Sequence, residues 1–315
     1  MAKKLDQKQI VDFKELLMSE VIQSEAIINH LDRKGILFND PKGCAENDRY
    51  RSSYVRSLVQ TTQSLPEPPL GSKNTIPKVI VQFWDNLGRI PKDVQECLDT
   101  WEPLAAHGFA RLIFDDRKAR SFIFTQFGST HVAAFDRCYH PAMRCDYFRL
   151  CYILSRGGFY VDADEMYQGM DLKHLFDDNR LKLQPLCYDT ESGEMIKNNV
   201  FMKDRQYSPN WIFYFANTPI IAPAGHPIIR LALERATGIL INSSERLEIQ
   251  STTGPGNLTA SLVRHAIYQE LSGEAQDFLI LSDWESTSII CWPLSYRNDA
   301  RNWRLSNTKD FVEEC

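Results

Sequence analysis

The sequence predicts an α/β protein: a mostly parallel sheet with helices packed on both faces. Three observations carry that prediction. From residue 76 onward, short apolar runs alternate with amphipathic stretches of helical period. The glycine pair Gly157-Gly158 divides the most apolar of those stretches from the run that follows it. A stretch rich in proline and small residues, SLPEPPLGSKN, separates this region from a helical segment ahead of it. Strands that alternate with helices build crossover units, and crossover units build parallel sheets.

The elements follow in order. Over residues 5–31, Ile10, Phe13, Leu16, Leu17, Val21, Ile22 and Ile28 recur at helical spacing, which predicts one or two amphipathic helices. The boundary is expected near residue 70, giving a helical N-terminal segment over 1–70 and an α/β domain over 71–315. Within the latter, 79–84 reads as a strand, 94–101 as a helix and 111–114 as a second strand. Residues 119–127 and 131–138 suit helices, and 142–155 a long apolar one stopped by Gly157-Gly158, where glycine adopts a left-handed cap without penalty. Residues 159–162 read as a buried strand. Further on, 227–237 is expected to be helical, Gly254-Pro255-Gly256 a loop, 258–271 a helix and 288–292 a last strand.

Composition narrows the function classes. A chain of 315 residues suffices for one large α/β domain with a helical attachment. Its formal net charge of −5 offers no basic excess for phosphate backbones, so no nucleic-acid partner is implied. None of the eight cysteines is spaced as C-x-x-C, and several sit in apolar runs. They read as free thiols of a reducing compartment rather than as zinc ligands. The N-terminal residues lack an unbroken apolar signal core, and no run approaches the ~20 apolar residues of a membrane span. A cytoplasmic location is therefore expected, or export of an effector without a classical signal peptide.

The chemistry centres on GGFYVDADEMY, residues 157–167, where an apolar run exits into Asp162, Asp164 and Glu165. Charges at a strand exit are often a solvated turn. Ligands of open α/β sheets, however, sit at the carboxyl ends of strands, and residues two apart in a strand share a side. Two hard oxygen ligands there suit Mg²⁺ or Mn²⁺, an ion that binds diphosphate and neutralises it as it leaves. On the preceding helix, Asp146 and Arg149 share a face. An exposed pair would be inconsequential, but Tyr147, Phe148, Leu150, Ile153 and Leu154 make this helix apolar, and a buried pair needs a function to offset its cost. Trp84, at the end of the first strand, is either a core aromatic or a platform for a stacked base.

Together, IPKVIVQFW (76–84), the helix ending at Thr100-Trp101 and CDYFRLCYILSRGGFYVDADE (145–165) resemble the D-x-D sugar-binding-region glycosyltransferases. That family includes the yeast-type initiating mannosyltransferases, α-1,4-galactosyl- and N-acetylglucosaminyltransferases and bacterial capsule enzymes. The glucosylating domains of large clostridial toxins are more distant relatives. The resemblance covers residues 76–170 and continues more weakly through 215–233 and 252–262. It implies a GT-A type nucleotide-sugar-binding fold and retaining transfer of a hexose to an acceptor hydroxyl. The implied roles place Trp84 on the base and Gln82 in the donor site. Asp146 and Arg149 would contact the sugar and phosphate, Asp162 the ribose, sugar or metal, and Asn217 the sugar; Asp164 would be the direct ligand of Mn²⁺ or Mg²⁺. Further metal ligands are expected from a C-terminal loop, with Ser295, Asn298 and Asp299 the candidates. The implied partners are a nucleotide-sugar donor, a UDP-sugar ahead of GDP-mannose, and a saccharide or protein acceptor. A non-catalytic nucleotide-sugar-binding module and a purely structural adaptor are the competing readings. Gln82-Phe83 and the AMRCD run depart from the family pattern.

Overall fold

A computed structural model describes residues 45–61 and 75–306. The helices expected over 5–31 and the boundary near residue 70 lie outside the described residues. Helix α1 (Ala45–Thr61) comes first, then β1 (Val79–Phe83), α2 (Lys92–Asp99) and β2 (Ala110–Phe114). Helices α3 (Asp116–Phe127), α4 (Ser129–Asp136) and α5 (Pro141–Arg156) lead into β3 (Gly158–Tyr160). Strands β4 (Glu165–Tyr167), β5 (Leu181–Asp189), β6 (Glu194–Ile196) and β7 (Trp211–Ala222) follow. The chain continues with α6 (Pro227–Asn242), α7 (Pro255–Ser272), β8 (Phe278–Ile280) and β9 (Ser288–Ile290).

The main sheet has seven strands in the order β2-β1-β3-β7-β5-β6, with β8 also paired to β5. Strand β1 lies parallel between β2 and β3, and β8 is parallel to β5. Strand β7 is antiparallel to both β3 and β5, and β6 is antiparallel to β5. Strands β1, β2, β3, β5 and β8 therefore share one direction. This is the expected α/β class, a mostly parallel central sheet flanked by helices. The expected final strand is real but belongs elsewhere: among the described residues β9 pairs with β4 alone, in a separate two-stranded sheet.

Side-chain alternation along the strands sorts the core into two layers. Val81, Phe83, Tyr160 and Ile220 face α3 to α7. Ile80, Phe159, Val161 and Ile221 face the other way, onto Trp101, Leu104, Phe109 and Trp284. Val55 and Val59 of α1 belong to the first layer, and the Phe213 amide donates to Ser52 Oγ at 2.9 Å. This part of the expected N-terminal segment thus shares the core of the α/β body. Strand β7 carries no clear strand signal in sequence, because its run WIFYFANTPIIA mixes apolar and polar residues without strict alternation. Gly254-Pro255-Gly256 is not a loop. Helix α7 starts at Pro255, a residue preorganised for the first helical position.

The break between α5 and β3 is sharper than a left-handed cap. Gly157 has φ 67° and ψ −173°, a region essentially restricted to glycine. A Cβ there would lie 2.6 Å from the Ala224 amide nitrogen and 2.9 Å from the Ala222 carbonyl oxygen. Gly157→Ala is expected to cost about 2–4 kcal/mol, from backbone strain and clash together. A urea midpoint within error of the wild type would contradict this account.

Candidate active site

Helix α5 carries its polar pair through the apolar layer to the edge of the sheet. Arg149 and Asp146 are buried, and their side chains meet at 3.0 Å. Arg149 Nη2 also pairs with Asp162 Oδ1 at 2.9 Å, and its Nη1 donates to the Asn217 carbonyl. Its guanidinium lies over the Tyr160 ring, 4.4 Å from the centroid. Asn217 Nδ2 donates to Asp146 Oδ1 at 2.7 Å, and Thr253 Oγ1 to Asp146 Oδ2 at 3.3 Å. Four of the sequence-predicted residues, Asp146, Arg149, Asp162 and Asn217, thus form one network. Burial would depress the Arg149 pKa, but its carboxylate partners, Asp162 foremost, hold it well above the ordinary value. Burial pushes Asp146 up to about 7, against the opposing pull of Arg149.

Strand β3 ends at Tyr160, so Asp162 and Asp164 sit in a turn and not within a strand. They share the cavity wall without strand geometry to align them. Asp162 turns toward Arg149, and its backbone N–H donates to Thr218 Oγ1 at 3.2 Å. Asp164 Oδ2 accepts from Tyr296 OH at 2.6 Å and from Arg297. Its carboxyl is held above the usual range by burial and by Asp162, with Arg297 opposing.

Glu165, the third carboxylate of the motif, is buried beneath the turn. Oε2 accepts from Ser288 Oγ at 2.7 Å and Trp284 Nε1 at 3.2 Å, and Oε1 from Thr218 Oγ1. Trp101 Nε1 donates to its backbone carbonyl at 2.9 Å. Thr218 therefore links Glu165 to the Asp162 amide, and Glu165 ties β7, the turn Trp284–Thr287 and β9 to the D-x-D turn.

The C-terminal segment does reach Asp164, but through different residues from those expected. Ser295 instead accepts no role there: its hydroxyl donates to Asp93 Oδ1 at 3.0 Å. Asp299 pairs with Arg301 at 3.7 Å. Neither these two nor Asn298 lines the cavity, whereas Tyr296, Arg297, Arg301 and Arg304 do. The intervening Tyr296 and Arg297 carried no motif in sequence. Trp84 lines the cavity, with Tyr296 edge-on at 5.3 Å and Arg301 over its ring at 5.7 Å. Gln82 does not line it. Strand alternation turns Gln82 away from its neighbours Val81 and Phe83, and its Oε1 accepts from Arg111 Nε at 3.0 Å.

These parts surround a cavity of about 540 Å³, within the ordinary range for small-molecule sites. Among the described residues no group of three or more His, Cys, Asp or Glu side chains is placed to hold a metal. Mg²⁺ needs less, since it binds through one or two carboxylates together with substrate phosphates and water. Asp162 and Asp164 are two hard carboxylates on the cavity wall, which fits that donor chemistry. The six described cysteines, Cys97, Cys138, Cys145, Cys151, Cys187 and Cys291, are free thiols.

Glu165 sets a pH dependence. Burial, first, and then Asp162 raise its carboxyl to about 7, against the donors Thr218 and Ser288. A carboxyl raised on folding binds its proton more tightly when folded. Its stabilising contribution is therefore complete below the unfolded value near 4.5 and is lost as pH rises through about 7. The melting temperature should fall between pH 5 and 8, and Glu165→Gln should flatten that slope. An equally steep slope in the variant would remove Glu165 as its source.

No family model matches the chain. In sequence, the chain is similar to the initiation-specific alpha-1,6-mannosyltransferase of Schizosaccharomyces pombe (strain 972 / ATCC 24843), 25% identical over 178 residues. The match covers 51% of this chain and 42% of that relative, so the chain spans less than half of the relative's length. Among solved structures it is similar to the PaToxG glycosyltransferase, with a TM-score of 0.42 and 16% identity over 85% of this chain and 94% of that one. No described helix is long and apolar enough to cross a membrane. The sequence likeness is thus to a glycosyltransferase.

Proposed function

We propose that the protein is a metal-dependent, retaining glycosyltransferase that moves a hexose from a nucleotide-sugar donor to an acceptor hydroxyl. The observation that carries this reading is the network in which buried Asp146 and Arg149 hold Asp162 and Asn217 at the cavity wall, at the carboxyl end of parallel strands. That is where open α/β sheets hold their ligands. The similarity to a mannosyltransferase supports the same class of reaction.

On this reading Asp162 and Asp164 hold Mn²⁺ or Mg²⁺, which supplies charge neutralisation to the departing diphosphate. Arg149 locks the Asp162 carboxylate in place, so the site needs little reorganisation when donor arrives. Asn217, fixed by Asp146 through Nδ2, lines the cavity where the sugar would lie. Trp84 forms part of the wall against the base. The central carboxylates are already engaged: Asp162 by Arg149, Asp164 by Tyr296 and Arg297, and Asp146 by Asn217 and Thr253. None stands free as a nucleophile. This favours front-face substitution, in which the acceptor hydroxyl attacks on the side from which the leaving group departs. Trp84 favours a UDP-sugar donor, and the relative's name brings GDP-mannose as the competitor. A saccharide acceptor is preferred over a protein.

The test is a thermal-shift panel of UDP-glucose, UDP-galactose, UDP-N-acetylglucosamine and GDP-mannose, each with and without Mn²⁺. One donor should raise the melting temperature by roughly 5 °C at saturation, only with metal. Asp164→Ala should abolish both that shift and sugar transfer. Near-normal transfer by the variant would defeat the assignment.

A further inference from the structure

The cavity is larger than the network at its centre. Strand β7 contributes Thr218, Asn217, Ala216 and Tyr214 to its wall. At about 3.3 Å per residue, the wall runs on for about 13 Å from the D-x-D turn. The far end is closed by Gln184 and Leu186 of β5, Met195 and Ile196 of β6, and Asn198.

The two ends differ in charge. The carboxylates of the wall are Asp85, Asp146, Asp162, Asp164, Glu165 and Glu285, and none comes from β5, β6 or β7. The far end carries donors and a cation instead. Asn198 is 6% exposed, and its Nδ2 has no hydrogen-bond partner among the described residues. A buried N–H without a partner is costly and calls for one. Arg304, an exposed residue of the C-terminal segment, also lines the cavity. Its guanidinium lies 4.2 Å from the Trp292 ring centroid, a ring that Arg297 also overlies at 4.1 Å, and 5.1 Å from that of Trp303; burial and then Arg297 lower its pKa, with Tyr214 of β7 and Tyr188 of β5 opposing. Arg297 is committed to Asp164, and Arg301 to Asp85 and Asp299. Arg304 has no carboxylate partner among the described residues.

We propose that this far end is the acceptor subsite and that it takes a saccharide bearing an anionic group, a carboxylate or a phosphate ester. Arg304 meets the anion, Asn198 Nδ2 donates to an oxygen of the same sugar, and Leu186, Met195 and Ile196 lie against the C–H face of the ring. A planar guanidinium with no carboxylate partner among the described residues suits either anion, and a described lining without carboxylates on β5, β6 and β7 does not repel it. The inference rests on the glycosyltransferase reading, so its test measures binding in the absence of donor.

The full chain would be titrated by calorimetry with three probes: a disaccharide ending in glucuronic acid, its counterpart ending in glucose, and glucose 6-phosphate. At least one acidic probe should bind tenfold or more tightly than the neutral one, and which of the two does so identifies the anion. Arg304→Ala should erase that preference and Arg304→Lys should restore part of it. Asn198→Asp, nearly isosteric but charged, should weaken the acidic probe further. Equal affinity for neutral and acidic probes, or an unchanged preference in Arg304→Ala, would overturn the proposal. So would displacement of the acidic probe by a nucleoside diphosphate alone, which would place Arg304 on the donor. Mass gain on a protein substrate without saccharide binding would overturn it as well. Donor stabilisation without saccharide binding would sink this inference and leave the transferase reading standing; saccharide binding without donor stabilisation would overturn the transferase reading and, with it, the role of this end as an acceptor subsite.

Discussion

A guanidinium without access to water depends on the partners around it, and the burial of Arg149 sets the terms for its surroundings. Three segments answer it: α5 through Asp146, the turn after β3 through Asp162, and β7 through the Asn217 carbonyl. Removing one partner from such a pair typically costs about 3–5 kcal/mol, because the other charge stays buried. An apolar replacement of the whole group would cost the fold little. Keeping it therefore points to what the network holds in place, which is the carboxylate of Asp162 at the cavity wall.

Glu165 extends the same constraint to the other side of the turn. It accepts from Thr218 of β7 and from Trp284 and Ser288 of the stretch that runs into β9. Thr218 in turn accepts from the Asp162 amide. Beyond β9, the Cys291 amide donates to the Asp164 carbonyl at 2.8 Å, and Tyr296 and Arg297 close on the Asp164 side chain. The two aspartates are thus gripped from opposite directions, one by the helix before the motif and the other by the chain more than a hundred residues after it.

This division explains what could be read in the sequence. Helix α5, the glycine break and strands β1 and β2 follow local period and composition, and the polar pair on α5 was visible as a departure from an apolar pattern. Asn217 was reached only through family resemblance, since β7 has no clear alternation to reveal it. The roles of Tyr296, Arg297 and Glu165 depend on which segments meet, and nothing local encodes that. Ser295, Asn298 and Asp299 are oxygen donors of the right region, yet the 3₁₀ turn Ser295–Asn298 directs Ser295 to Asp93 instead. Gln82 failed for the opposite reason: strand alternation, a local rule, turns it from the cavity toward Arg111.

The electrostatic state of the site follows from the same geometry. Asp146 and Glu165 are both pushed up to about 7 and Asp164 is raised as well, with burial the first cause in each case. Three carboxyls raised first by burial mean that charge around this turn is costly, and that Arg149 and Arg297 offset only part of that cost. Pairing more arginines to them would lower the strain but would also fill the cavity, and Arg301 and Arg304 instead stand over Trp84, Trp292 and Trp303. A site poised in this way gains most from a ligand that brings positive charge to the D-x-D turn and negative charge to the arginine wall. Under the proposed function, a divalent ion accompanying a diphosphate has that polarity, and its arrival would draw the carboxyls back toward their ionised form.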